Sequence, residues 1–129
     1  MSHWRQLDIA RKITEILRDV QYIVPDHHFG RPFLTAYQLA VEFTRRHPED
    51  TSAIGQPIGG AGVGQHSSLA QYLARRLSSE IRDGTANHIE GGFISNQHLV
   101  KISFRDGTRV FDSSLTETQF DLSLFRLRD

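Results

Sequence analysis

Cysteine is absent from the chain. Disulfides, cysteine-ligated zinc and thiol nucleophiles are thereby excluded, and stability must come from a packed core alone. Long apolar runs are missing too. No stretch approaches the 18 apolar residues of a membrane-spanning helix. Arg5 and Asp8 interrupt the first dozen residues, so no signal-peptide pattern is read there. The expectation is a cytoplasmic protein without a membrane partner. Nor does charge of one sign dominate, with fifteen basic residues against fifteen acidic ones. That balance argues against a strong non-specific nucleic-acid binder and leaves room for a specific one with a local basic face. Lysine is scarce: Lys12 and Lys101 are the only two, and the other thirteen are arginines. Arginine's planar fork suits phosphate and guanine, although a GC-rich coding sequence also raises arginine content.

Catalytic signatures are missing as well. Seven histidines occur (His3, His27, His28, His47, His66, His88 and His98), none in an HExxH or other metal-ligand spacing. No GxSxG elbow is present. A nuclease pattern of Pro-Asp followed by Asp/Glu-x-Lys starts at Pro25-Asp26. It then fails, because the only downstream lysine, Lys101, has Leu99 at the acidic position. Asp26-His27-His28, the densest cluster, sits between Pro25 and Gly30 and reads as a polar loop. The paired carboxylates Glu49-Asp50 have no matched partner. A non-enzymatic domain with no cofactor and no metal is expected.

What is present suffices for a core. The chain has 129 residues, 38% of them hydrophobic, with eight phenylalanines. That size suits one domain, 1–129, burying roughly two-thirds of the surface its unfolded chain exposes. Ile9, Ile13, Ile16, Leu17 and Val20 recur at helical spacing and predict a first helix over 4–20. Tyr22-Ile23-Val24 allow a short extended piece before Pro25, Gly30 and Pro32. A second helix is predicted over 36–47. Thr35 and Gln38 have the spacing of a capping box, Leu34 and Leu39 that of a hydrophobic staple, and Pro48 ends it. Residues 49–66 form a long connection with one short turn expected near 51–54, glycine-rich over 55–66. The third helix is predicted over 69–83, with Ser68 and Gln71 at capping-box spacing, an apolar stripe of Leu69, Leu73, Leu77 and Ile81, and Gly84 at its end.

The remainder reads as β. Strands are predicted over 89–94, 99–104 and 108–112. Asp106-Gly107 predicts a two-residue type I′ turn that sets Ile102 opposite Phe111 and Lys101 opposite Asp112. The tail 116–129 is ambiguous. Phe120, Leu122 and Leu124 alternate as in a strand, whereas Phe120, Leu124 and Leu127 have helical spacing. A tail this apolar either packs on the β region or docks on a partner. The expected fold is α+β: three helices followed by a short antiparallel β-meander.

Three features bear on function. The third helix carries Gln71, Arg75, Ser78 and Arg82 at i, i+4, i+7 and i+11, a single polar stripe of the kind that reads adenine, guanine or phosphate, and equally the ordinary solvated face of a helix. The hairpin carries Lys101, Arg105 and Arg109. The glycine-rich segment reads GGAGVGQHS from Gly59 to Ser67. Gly59 and Gly64 have the separation of a phosphate-binding P-loop, but Gln65 stands in place of its lysine and His66 in place of its Ser/Thr. Nucleotide binding is therefore not expected. His66, Ser67 and Ser68, just before a helix, could hold a simple anion, or the segment is a plain loop.

The order helix, extended piece, helix, helix, β-hairpin, over residues 4–112, resembles the winged-helix superfamily. The resemblance implies a third helix lying in the major groove and a hairpin wing touching the backbone. The roughly twenty residues between the second and third helices exceed the three or four of a helix-turn-helix turn. The leading expectation is a DNA-binding, winged-helix-like module, a transcriptional regulator that acts as a dimer. The alternative is a non-catalytic protein-interaction or accessory subunit using the glycine-rich loop or the apolar tail.

Overall fold

The span predicted as one helix over 4–20 holds two, and the apolar stripe from Ile9 to Leu17 belongs to the second. In the computed structural model, which describes residues 3–59, 68–112 and 121–129, α1 (His3–Gln6) and α2 (Ile9–Arg18) are separated at Asp8. Asp8 takes a left-handed conformation (φ 54°), which short polar side chains tolerate better than most. Its carboxylate receives the Arg11 Nε–H at 2.6 Å. The break turns Trp4 inward. Its indole N–H donates to Glu80 at 3.1 Å, and its ring meets Tyr72 edge-on. Ile9, Ile13, Ile16 and Leu17 are buried as the periodicity requires.

Helix α3 (Ala36–Arg46) begins as its cap predicts. The Gln38 amide donates to the Thr35 hydroxyl at 3.1 Å, and the Thr35 amide donates to the Gln38 side chain at 2.7 Å. Pro48 ends α3 and also opens a further helix, α4 (Pro48–Ile54). Proline suits the first helical position because its missing N–H has no partner there. Helix α5 (Leu69–Arg82) is capped by the Ser68 hydroxyl, which accepts from the Gln71 amide at 3.1 Å. Gly84 (φ 79°) follows its C-terminus. Helix α3 packs on both α2 and α5. Tyr37, Leu39 and Phe43 belong to the same buried cluster as Ile13, Leu73 and Leu77.

The β region departs from a meander. Strands β1 (Leu34–Thr35), β2 (Ile89–Ile94) and β5 (Leu122–Leu127) form one antiparallel sheet of order β1-β5-β2. Strands β3 (Ser103–Asp106) and β4 (Arg109–Asp112) form a separate hairpin. The ambiguous tail is thus a strand in its described part, and it occupies the centre of the sheet. Leu34 and Gly91 flank Phe125 from either side. Leu122 and Phe125 are buried, so these side chains are committed to the core and are not free to dock elsewhere. Residues 113–120 lie outside the described part. The α+β class holds, with five helices among the described residues where three were expected.

The hairpin register differs from expectation by one residue on the first strand and one on the second. Asp106 pairs with Arg109, and Phe104 opposes Phe111 in place of Ile102. The central pair of the turn is therefore Gly107-Thr108. Gly107 has φ 62° while Asp106 and Thr108 stay outside the positive region. Glycine at the first central position is the pattern of a II′ turn, not the I′ turn that Asp-Gly invites. Ser103 takes the place opposite Asp112 and donates to its carboxylate at 2.5 Å.

Candidate nucleic-acid interface

Helix α5 divides cleanly. Leu69, Ala70, Leu73, Ala74 and Leu77 are buried, whereas Arg75, Ser78 and Arg82 are exposed. Gln71 is half-buried beside the cap. The polar stripe predicted from spacing is therefore one face of a helix whose other face is anchored in the core. Arg82 lies 3.2 Å from the Asp83 carboxylate and 3.3 Å from the Ser79 hydroxyl. Arg76 does not join this face. Its guanidinium sits 5.3 Å over the Trp4 ring, a cation–π contact that ties α5 to α1.

The hairpin is held by aromatic stacking. Phe104 lies parallel to Tyr37 at 5.0 Å, and Phe111 meets the same ring at 6.1 Å. Tyr37 and Ser68 also crowd Gly59 (φ 133°). A Cβ there would approach the Tyr37 ring to 2.9 Å and the Ser68 Cβ to 3.2 Å, so this one loop glycine is required by the packing. The hairpin thus docks on α3, near the start of α5. Its cations are not gathered on one side. Strand alternation sends Arg105 and Arg109 to opposite faces. Arg109 stacks 5.2 Å from the Phe111 ring, and Lys101 lies 3.9 Å from Asp112. Arg105 lines a cleft of about 460 Å3 between α2, α3 and the hairpin, together with Asp19, Glu42 and Arg46. Glu42 is held below the usual carboxylate range, chiefly by the hydrogen bond from Arg45. That cleft is of mixed charge and offers no cationic track.

Of the three residues considered for anion binding, His66 and Ser67 lie outside the described part. Ser68 is 1% exposed and its hydroxyl is already the cap of α5, so it is not available to a ligand. Among the described residues no group of three His, Cys, Asp or Glu side chains is placed to hold a metal.

One cluster was not legible in the sequence. Arg126 on β5 donates to Glu90 at 2.7 Å and to the carbonyl oxygens of Phe29 and Arg31, and stacks 4.3 Å from the Phe33 ring. Arg31 donates to the Arg18 carbonyl at 2.7 Å, and Tyr22 donates to the Asp129 carboxylate. Together these groups pin residues 21–33 across the sheet. The pinned segment presents Ile23 (90% exposed), Val24 and Phe29 to solvent, beside a cleft of about 430 Å3. No family model, curated protein or solved structure matches this chain.

Proposed function

We propose that this domain binds double-stranded DNA through the exposed face of α5, as a winged-helix-like module with a role in transcription regulation. The observation that carries the reading is the division of α5. One face is fully sequestered in the core, while the opposite face projects Arg75, Ser78 and Arg82 over about two turns. A recognition helix needs that combination, because the core fixes the pose and the exposed face reaches base edges. The element order also supports it: helix, short strand, helices, then strands, with the short strand β1 built into the same sheet as β2 and β5. Arg75, near the middle of the face, is assigned to guanine or phosphate. Gln71 and Ser78 flank it, and Arg82 is assigned to the backbone. The hairpin, lying near the start of α5, is the wing, with Arg109 and Lys101 as its phosphate contacts. Arg105, on the hairpin face opposite Arg109, is left out of the interface.

The test is fluorescence anisotropy with duplex DNA. Arg75→Ala weakens binding by about 1–3 kcal/mol if the residue reads a base, while circular dichroism stays unchanged because the side chain is exposed. Equal affinity for the variant and the parent chain removes α5 from the interface.

A second reading rests on a different observation. Ile23, Val24 and Phe29 form an exposed apolar surface on a segment held rigid by Arg126 and Arg31. Exposed apolar patches mark protein contacts more often than isolated exposed residues do. On this reading the domain is an accessory subunit, and 21–33 is its docking surface.

A further inference from the structure

We propose that the chain pairs with a second copy of itself through the edge of β2, antiparallel and with the two-fold axis at Gly92, so that Phe93 of each copy enters the cleft left open at Gly91 of the other. This inference does not depend on what α5 binds.

Strand β2 is hydrogen-bonded to β5 on one side only. No strand pairs with its other side among the described residues. Exposed edges are normally blunted by lysine, proline or a bulge. The edge sequence IEGGFI has no lysine and no proline, and its six residues pair with β5 in unbroken register. Its single charge, Glu90, is already bound by Arg126 of the neighbouring strand.

The same strand carries a projection and a recess. Phe93 is 70% exposed, a large cost for an aromatic ring. Gly91 lies two residues away, hence on the same face of the sheet. A Cβ at Gly91 would meet Ile81 at 3.5 Å and Phe125 at 3.8 Å, so the face in question is the one covered by α5. A cleft of about 450 Å3 opens beside Gly91, lined by Ser78, Ile81, Gly91, Phe125 and Arg128, with the chain's own Phe93 at its rim.

Symmetry selects the register. Two antiparallel edge strands related by a two-fold axis must pair residues of the same face, so the axis passes through a single residue. With the axis at Gly91, Phe93 would oppose Ile89, which is already 1% exposed and leaves no room beside it. With the axis at Gly92, Phe93 opposes Gly91, and by symmetry this happens twice. An aromatic ring laid over a cross-strand glycine is a known stabilising pair in sheets. Glu90 then opposes Ile94, and the sheet continues from one copy into the next. The projection and the recess lie on one chain at the spacing this pairing needs. A strand from another protein would have to supply its own aromatic at the same place, so a second copy is the occupant.

The chain's lack of cysteine makes the test direct. Sedimentation velocity of the full chain over a micromolar range should show a monomer–dimer equilibrium, and Phe93→Ser should shift it to monomer. Cross-linking gives an independent readout. Paired Cα atoms in an antiparallel ladder stand about 4.5–5.5 Å apart, within disulfide reach. A Cβ at Gly92 would meet nothing closer than the Phe33 ring at 4.0 Å. Gly92→Cys should therefore form a disulfide-linked dimer under mild oxidation much faster than Val100→Cys, an exposed control. A chain that is monomeric throughout, or a Gly92→Cys variant that cross-links no faster than the control, overturns the proposal. So does a dimer that Phe93→Ser leaves intact.

Discussion

Thr35 commits both its hydroxyl and its amide to Gln38 while standing 6% exposed. Thr35→Ala removes the acceptor for the Gln38 amide at a buried helix start. It should destabilise the domain by about 1 kcal/mol, within roughly 0.5–2. The expected signature is a lower urea midpoint with an unchanged slope. This residue was legible in the sequence because a capping box is local: the partners are three residues apart and their chemistry is diagnostic. Ser68 was legible for the same reason, but its hydroxyl is spent on the cap, so its expected role toward an anion does not survive the same geometry. Trp4, Arg76 and Arg126 were not legible. Their partners lie at Glu80, Trp4 and Glu90, and only the folded chain brings such distant positions together.

Elements with a strong period emerged where the sequence placed them, and those decided by a single backbone conformation did not. The stripes of α3 and α5 needed no tertiary information. The division between α1 and α2 turns on the left-handed Asp8, which no hydrophobic pattern records. The β3–β4 register turns on which residue takes positive φ, and Asp106-Gly107 is compatible with two turns one residue apart. The tail became legible only with its neighbours, since alternation and helical spacing were both present and the sheet's central position decided for a strand. The β2–β5 pair offers a test at this scale. Arg126 holds the Glu90 carboxyl below its usual range, first by a hydrogen bond and then by charge, against an opposing effect of burial. A lowered carboxyl pKa adds stability that is complete above the unfolded value, near about 4.3. It is lost as pH falls through the folded value. Glu90→Gln should therefore flatten the acid limb of stability. The parent chain loses more of its urea midpoint than the variant between about pH 7 and about pH 3. The pair is partly exposed, so the effect is modest and weakens with salt.

At the scale of the molecule, composition was a sound guide to class and a poor one to topology. The α+β class holds, and among the described residues α2, α3, α5 and the sheet contribute to one buried cluster. The order β1-β5-β2 was not expected, because it requires the last strand to insert between the first two. The same balance of charge constrains the DNA reading. With no general excess of positive charge, attraction to phosphate must come from α5 and the wing alone, a handful of cations. Binding should then fall with salt along a shallow logarithmic slope corresponding to those few contacts. The measurement that bears most directly on this account is the affinity of the whole chain for duplex DNA at two salt concentrations, with Arg75→Ala alongside. The expected result is binding at low salt that declines modestly as salt rises, with the variant weaker at both. No binding at low salt, or binding that Arg75→Ala leaves unchanged, would contradict it.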